Sequence, residues 1–186
     1  YGNESIKVVQ ENPYRLADDI WGIGFRTADT VAEKMGFGHE QYPRLRSGIL
    51  YTLNRLSEEG HCYSTREQLL KTGKELLEVE ENLLSDALEE MIRNEDLRTE
   101  PLPDEEGSAI YLPVFYFAEI GTARRLSEIY HAPRSIRVET NGLAQRIAQS
   151  TGMQYDEVQM RAIEAAANRK LLILTGGPGT GKTTTT

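Results

Sequence analysis

The sequence predicts a mainly α-helical chain with one small α+β module, which leads into the first strand and loop of an α/β domain. Apolar residues recur every three or four positions through most of the chain, which is the spacing of helices with one buried face. Segments 97–100 and 109–112 flank a stretch of proline, acidic residues and glycine, which is typical of a β-hairpin. An apolar run at 171–174 is followed at once by glycine-rich residues that end in lysine and threonine.

The composition excludes several classes of protein. The 39% hydrophobic and 27% charged content is ordinary for a soluble globular protein. No apolar run approaches the ~20 residues that span a membrane, and the polar first ten residues lack the core of a signal peptide. Cys62 is the only cysteine, which excludes an internal disulfide and a thiolate metal cluster and predicts a cytoplasmic location.

The net charge of −8 is distributed unevenly along the chain. Residues 1–60 contain seven basic and nine acidic side chains and have a net charge of −2. Residues 61–120 contain five basic and 15 acidic side chains and have a net charge of −10. Residues 121–186 contain nine basic and five acidic side chains and have a net charge of +4. Any surface that faces nucleic acid should therefore come from the two ends of the chain, and any protein partner should contact the acidic middle.

The first informative stretch is a pair of helical patterns separated by Gly22-Ile23-Gly24. Leu16 and Ile20 precede the glycines at helical spacing, so we expect a short helix, a tight hairpin and a second helix from Phe25. The pattern resembles the helix-hairpin-helix motif, which binds DNA phosphates through backbone N–H groups without reading bases. An ordinary packed helical hairpin is the alternative. Within a DNA-binding region assigned to 1–40, the predicted contacts are Gly22, Ile23, Gly24, Phe25, Arg26 and Thr27.

Residues 41–114 begin with helices that each have one apolar face. We expect helices over 42–59 and 80–94, and between them a short strand at 61–64 and a helix that starts at a Thr65–Gln68 capping box. His61 and Cys62 lack partners at metal-ligand spacing, so we interpret both as partly buried packing residues.

The hairpin at 97–112 completes the order helix, strand, helix, helix, hairpin, which is that of a winged helix. In that fold the third helix enters the DNA groove, but here the third helix carries acidic side chains that phosphate would repel. We therefore predict that the winged-helix-like module is structural or contacts a protein. The acidic residues are Glu80, Glu81, Asp86, Glu89 and Glu90.

Connecting helices and a linker are expected over 115–150. The pattern predicts a helix over 115–130, a linker that begins at 131–134 and a helix over 143–149. An amphipathic helix over 155–168 then leads to the glycine-rich loop, so that 151–186 forms the start of the nucleotide-binding domain.

The octet 176–183 fits G-x-x-x-x-G-K-[ST], the phosphate-binding loop, and implies ATP and Mg²⁺ as cofactors. Lys182 is predicted to reach the β- and γ-phosphates, and Thr183 to offer its hydroxyl to Mg²⁺. We expect a buried strand at 171–175 before the loop and a helix from Gly181 or Lys182 after it. The predicted binding residues are Gly176, Gly177, Pro178, Gly179, Thr180, Gly181, Lys182, Thr183 and Thr184, of which Lys182 and Thr183 are catalytic.

ATP hydrolysis needs more than this loop. It also requires an acidic residue that holds the metal, a group that positions water and usually an arginine finger, and none of these can be placed in the 186 residues. We therefore expect no ATP turnover by this chain alone.

Gln159-x-x-Ala162-Ile163, followed by residues 174–184, resembles the superfamily 1 DNA helicases. Gln159 matches their Q motif, in which the amide pairs with adenine. Upstream stretches resemble the RecD/TraA family, specifically the stand-alone RecD-like helicases with an extended N-terminal region. Those stretches are 12–14, 22–29, 60–63 and 111–112, with Glu119 soon after.

The resemblance implies a RecA-like α/β motor domain that translocates 5′→3′ on single-stranded DNA and unwinds duplex in repair or recombination. It also implies sequence-independent binding of single-stranded and junction DNA, and a nucleotide-binding role for Gln159. A non-helicase P-loop ATPase with a DNA-binding front end and a non-enzymatic DNA-tethering module remain as alternatives. Gln159 argues against the first, and intact Lys182 and Thr183 argue against the second.

Overall fold

The computed structural model describes residues 5–103, 107–133 and 141–185. The chain divides into two compact units, Tyr1–Glu119 and Ile120–Thr186. The first unit is helical apart from one small sheet. Its elements are α1 (Ser5–Glu11), α2 (Arg15–Asp19), α3 (Phe25–Lys34), α4 (Tyr42–Glu58), β1 (Ser64–Thr65), α5 (Arg66–Leu77), α6 (Glu81–Arg93), β2 (Arg98–Pro101), β3 (Ser108–Tyr111) and the start of α7 (Pro113–His131).

The three strands form an antiparallel sheet in the order β1-β3-β2. Ile110 in the central strand pairs with Ser64 on one side and with Thr99 on the other, and its side chain is fully buried. The Thr65 hydroxyl accepts a hydrogen bond from the Gln68 N–H at 3.2 Å, so the predicted cap starts α5. The observed element order of the middle module is therefore the predicted one.

The core of the first unit lies where α4, α5 and α6 meet the sheet. The predicted apolar face of α4 is buried, and so are Leu84, Leu88 and Met91 of α6. Gly48 brings α4 close to α5, because a Cβ on this residue would lie 2.5 Å from both δ-carbons of Leu77. The buried leucine and isoleucine residues of α4 are Leu45, Ile49, Leu53 and Leu56.

Some residues of the first unit differ from their predicted positions. Ile20 lies beyond the end of α2 and is 44% exposed, because the chain turns before a second helical turn can bury it. His61 and Cys62 are both exposed, because they lie in the loop before β1, which starts only at Ser64. Residues 104–106 of the predicted hairpin turn lie outside the described residues.

The second unit contains the end of α7, α8 (Leu143–Thr151), α9 (Glu157–Asn168) and α10 (Lys182–Thr185). The predicted linker continues into 134–140, outside the described residues. The strand predicted at 171–175 is wrong: these residues form no strand, and Ile173 is 76% exposed. A buried strand needs a hydrogen-bonded neighbour on its ladder, and the described residues of this unit provide no partner strand.

Across the described residues, no helix is both long enough and apolar enough to cross a membrane.

Candidate functional site

The turn between α2 and α3 is closed by backbone hydrogen bonds. The Ile20 N–H donates to the Leu16 carbonyl at 3.2 Å, and the Ile23 N–H donates to the Ile20 carbonyl at 3.1 Å. Gly22 has a φ of +90°, which residues with a side chain rarely adopt. Ile20 to Ile23 therefore match a type II β-turn, in which the third position requires a positive φ.

The helix α3 begins without a side-chain cap. Its N-cap is Gly24, and its first turn contains no acidic residue. The first amides of a helix, here those of Phe25 and Arg26, have no carbonyl partner within their own helix. A Cβ on Gly24 would meet no atom within 4 Å, so the backbone is open at this point. Open amides at the positive end of a helix form a candidate anion site.

The predicted DNA-binding residues around this turn have different environments. Arg26 and Thr27 are exposed and lie on the first turn of α3. The Phe25 side chain is buried and stacks between Tyr14 and Tyr51, with ring centroids 6.1 and 5.3 Å apart. Only the backbone amide of Phe25 can therefore serve a ligand, while its ring fixes the start of α3 to the core.

A charged network fixes α3 to α4. The Arg44 guanidinium donates to the two carboxylate oxygens of Asp29 at 2.8 and 3.0 Å, and the Tyr14 hydroxyl donates to Asp29 Oδ1 at 2.6 Å. Arg44 Nη1 also donates to the Leu77 carbonyl at 2.9 Å and to the His39 carbonyl at 3.2 Å. Arg44 is only 6% exposed, so the helix-hairpin-helix and the last turn of α5 share one buried cation.

The network also changes the ionisation of its members. Burial alone would raise the pKa of Asp29, but the hydrogen bonds from Arg44 and Tyr14 and the charge of Arg44 outweigh it and lower this pKa below the ordinary 3.8. Burial and the hydrogen bond to Asp29 raise the pKa of the Tyr14 hydroxyl. Asp29 is therefore an anion, and Tyr14 a hydrogen-bond donor, at neutral pH.

A second arginine of α4 holds α2. Arg46 donates to Asp18 at 3.2 Å and to Asp96, after α6, at 3.0 Å. Neither arginine network was predicted from the sequence. The position of Arg44 could have indicated its burial. It lies four residues before Gly48 and eight before Thr52, so it shares with them a face of α4 that is buried in the structure.

The glycine-rich loop of the second unit curls around the side chain of Lys182. The Lys182 ammonium donates to the carbonyls of Gly176 and Gly177 at 2.5 and 2.6 Å, and the Thr180 hydroxyl donates to the Gly177 carbonyl at 2.9 Å. Gly179 and Gly181 have φ values of +77° and +74°, which allow the curl. The helix α10 starts at Lys182, as predicted, and Pro178, Thr183 and Thr184 are exposed.

Gln159 lies beside this loop. Its Nε2 is 3.5 Å from the Thr180 carbonyl oxygen, and a Cβ on Gly181 would collide with the same Nε2. Its Oε1 accepts from the Asp156 N–H at 3.0 Å, and Asp156 Oδ1 accepts from the Gln159 N–H at 2.9 Å. The residue therefore also caps α9, a role that the spacing of Asp156 and Gln159 could have indicated.

The middle module presents acidic rather than basic groups. The side chains of Glu81, Asp86 and Glu89 on α6 are exposed. A groove of about 400 Å³ between the start of α4 and α6 is lined by Glu40, Asp86, Glu89 and Glu90 together with Arg93 and apolar residues. Among the residues that the structure describes, no group of three or more histidine, cysteine, aspartate or glutamate side chains could hold a metal ion.

Comparison with known proteins places both candidate sites within matched regions. The family model for the helix-hairpin-helix domain of ATP-dependent RecD2 DNA helicases matches residues 1–63. A model for an AAA domain matches residues 159–186, from Gln159 through the glycine-rich loop. The ATP-dependent RecD2 DNA helicase of Deinococcus radiodurans is 27% identical over 194 residues. That alignment covers 100% of this chain and 27% of the relative's length.

In these matched regions the chain is similar to ATP-dependent DNA helicases. Within that class, the resemblance to the RecD-like helicases is confirmed, as is the helix-hairpin-helix at the start of the chain.

Proposed function

We propose that this chain is the DNA-holding and nucleotide-binding front part of a helicase that moves 5′→3′ on single-stranded DNA and unwinds duplex. The observation that carries the proposal is that one chain contains two candidate phosphate sites of different kinds. One is the uncapped start of α3, and the other is the loop curled around Lys182. The role in repair or recombination is part of the same proposal and follows from the family resemblance.

The glycine-rich loop has features expected of a nucleoside triphosphate site. Its positive-φ glycines turn the backbone, and its lysine ammonium lies across the loop against two carbonyls. Bound MgATP would supply a transferable γ-phosphoryl group. In this proposal Lys182 binds the β- and γ-phosphates, Thr183 offers its hydroxyl to Mg²⁺, and residues 176–184 surround the phosphates. Gln159 orients the adenine from beside the loop.

The nucleotide role is tested with Lys182→Ala in the full-length protein. We expect ATPase activity to be abolished, because this cation meets the charge that develops during phosphoryl transfer. Far-UV circular dichroism should match that of the unmodified protein, because Lys182 is the first residue of the short helix α10, which has no buried residues. Normal turnover by the folded variant would refute the assignment.

The proposed DNA site uses backbone donors at the start of α3, with Arg26 and Thr27 beside them. Such donors contact phosphates and no base edges, so binding should be independent of sequence. Two arginines of α4 hold α2 and α3 in place, so a phosphate would meet preformed donors. Few phosphates would be neutralised, and the acidic middle module opposes binding, so the affinity of this chain for DNA should be weak.

DNA titrations at several salt concentrations test this site. The logarithm of affinity should fall with the logarithm of salt at a slope on the order of −1 to −3. Gly24→Val should weaken binding by blocking the approach of a phosphate, although its Cβ has open space within the protein. Arg26→Ala should weaken binding about equally for all sequences. Asp86→Asn on α6 is the control, since this residue lies on the face that is not expected to meet DNA.

Direction and unwinding need a separate measurement in the full-length protein. A duplex with a 5′ single-stranded overhang should be unwound in the presence of ATP, whereas a matched duplex with a 3′ overhang should not. ATP hydrolysis without strand separation on either substrate would favour a non-helicase ATPase.

The acidic middle module is proposed to be structural or to contact a protein. Its third helix, α6, occupies the position that reads DNA in winged-helix proteins. Exposed carboxylates on that helix would repel phosphate, and the adjacent acidic groove is suited to basic side chains of a protein partner.

A further inference from the structure

Trp21 is the only tryptophan of the chain, and its side chain is 101% exposed. Tryptophan is among the largest apolar side chains, and in most folds it buries much of its area against other residues. None of the ring contacts within the described part of the chain includes Trp21. Packing among the described residues of this unit therefore gives no reason for a tryptophan at this position.

The turn holds Trp21 in a defined place. It occupies the second position of the turn from Ile20 to Ile23, directly before Gly22 at φ +90°. The hydrogen bond from the Ile23 N–H to the Ile20 carbonyl closes the backbone on which Trp21 stands. The indole is thus presented at the tip of the hairpin, three residues before the open N-cap of α3 at Gly24.

The charges around the tip are compatible with DNA. The neighbouring carboxylates Asp18 and Asp19 are paired with Arg46 at 3.2 Å and with Arg15 at 2.9 Å. Arg26, on the first turn of α3, is exposed, and that turn contains no acidic residue. An anionic strand can therefore approach the tip without meeting an unpaired carboxylate of α2.

We propose that Trp21 stacks on an unpaired DNA base while the backbone amides at the start of α3 hold a phosphate of the same strand. This inference rests on the proposed DNA-binding function and adds to it a preference for single-stranded over duplex DNA. Phosphate contacts alone are available on both single strands and duplex, whereas the face of a base is open only where the strand is unpaired. Every base has a π-face, so stacking on Trp21 would favour single strands without selecting a sequence.

The single tryptophan makes the contact directly observable in this chain. Intrinsic fluorescence should be quenched by a short single-stranded oligonucleotide of mixed sequence. It should not be quenched by an abasic oligonucleotide of the same length, which keeps the phosphates but lacks bases. A duplex closed by loops of abasic spacers at both ends should also fail to quench, because it offers phosphates but no unpaired base.

Affinities of variants, measured by anisotropy of labelled DNA, give the second readout. Trp21→Ala should lower affinity for the single strand about tenfold, within the range for loss of one base–aromatic stack, and leave affinity for the abasic strand unchanged. Trp21→Phe should retain most of the affinity, because it keeps a ring. Phe117→Ala is the matched control, since Phe117 is another exposed aromatic side chain, at 57%.

The outcomes separate this inference from the proposed function. If Gly24→Val weakens binding but Trp21→Ala binds the single strand like the unmodified chain, stacking is refuted and the phosphate site stands. Equal losses for the normal and abasic strands on Trp21→Ala would also refute stacking. If neither Gly24→Val nor Arg26→Ala affects binding, the hairpin is not the DNA site and both proposals fail. If Trp21 fluorescence responds to no DNA, its exposed ring serves another partner, and the inference is wrong.

Discussion

Asp29→Asn removes the charge at the centre of the network that joins α3 to α4 and α5. The change keeps the size of the side chain but replaces one of the two oxygens that Arg44 and Tyr14 contact. The Asp29 side chain is 15% exposed and that of Arg44 is 7% exposed, so the pair is largely removed from water. The substitution therefore leaves a buried guanidinium without its counter-charge.

The expected loss of stability follows from that geometry. Breaking a buried ion pair by removing one partner typically costs 3–5 kcal/mol. Arg44 keeps its hydrogen bonds to the Leu77 and His39 carbonyls, so we expect the lower end, about 3 kcal/mol. Asp19→Asn is the matched control, because it breaks the exposed pair with Arg15 on α2 and should cost less than about 0.5 kcal/mol.

Urea unfolding followed by far-UV circular dichroism measures both variants. The effect should also depend on pH, because the folded-state pKa of Asp29 lies below the ordinary 3.8. Ionised Asp29 stabilises the fold above that pH, and the contribution is lost as the pH falls through the folded-state pKa. The difference between unmodified chain and Asp29→Asn should therefore shrink in acid. A loss near that of Asp19→Asn at neutral pH, or a difference that grows in acid, would refute the reasoning.

Two further predictions concern packing and nucleotide recognition. Gly48→Ala should destabilise the first unit by about 1–3 kcal/mol in urea unfolding, because the added methyl would press on Leu77, whereas Gly121→Ala in α7 has open space and should cost nothing. Gln159→Ala in the full-length protein should weaken ATP binding more than binding of an analogue whose base lacks the adenine edge, because the lost hydrogen bonds are specific to that edge. Equal loss for both nucleotides in equilibrium titrations would leave Gln159 only its role as the cap of α9.

Local sequence patterns predicted most of the helices and the hairpin strands. The periodicity of α4 and α6 indicated which of their faces is buried, because side chains three and four residues apart share one side of a helix. Gly22, Gly24 and the start of α3 were equally predictable, since turn glycines and helix ends depend on neighbouring residues. The loop that is predicted to bind phosphate could be found for the same reason: its glycines, lysine and threonine lie within eight consecutive residues.

The tertiary structure decided what those patterns could not. Asp29 and Arg44 are 15 residues apart, and Arg44 and the Leu77 carbonyl are 33 apart, so only the packing of α3, α4 and α5 brings them together. The same packing buried the Phe25 ring while Trp21, four residues earlier, remained exposed.

The apolar run at 171–174 is a case in which the local pattern predicted an element that the structure does not contain. Its composition is that of a buried strand, but a strand forms only where neighbouring strands complete its hydrogen bonds, and the described residues provide none there. Sequence determined the local elements and the chemistry that each one carries, whereas contacts between distant residues determined which side chains are held in the core and which remain available to a ligand.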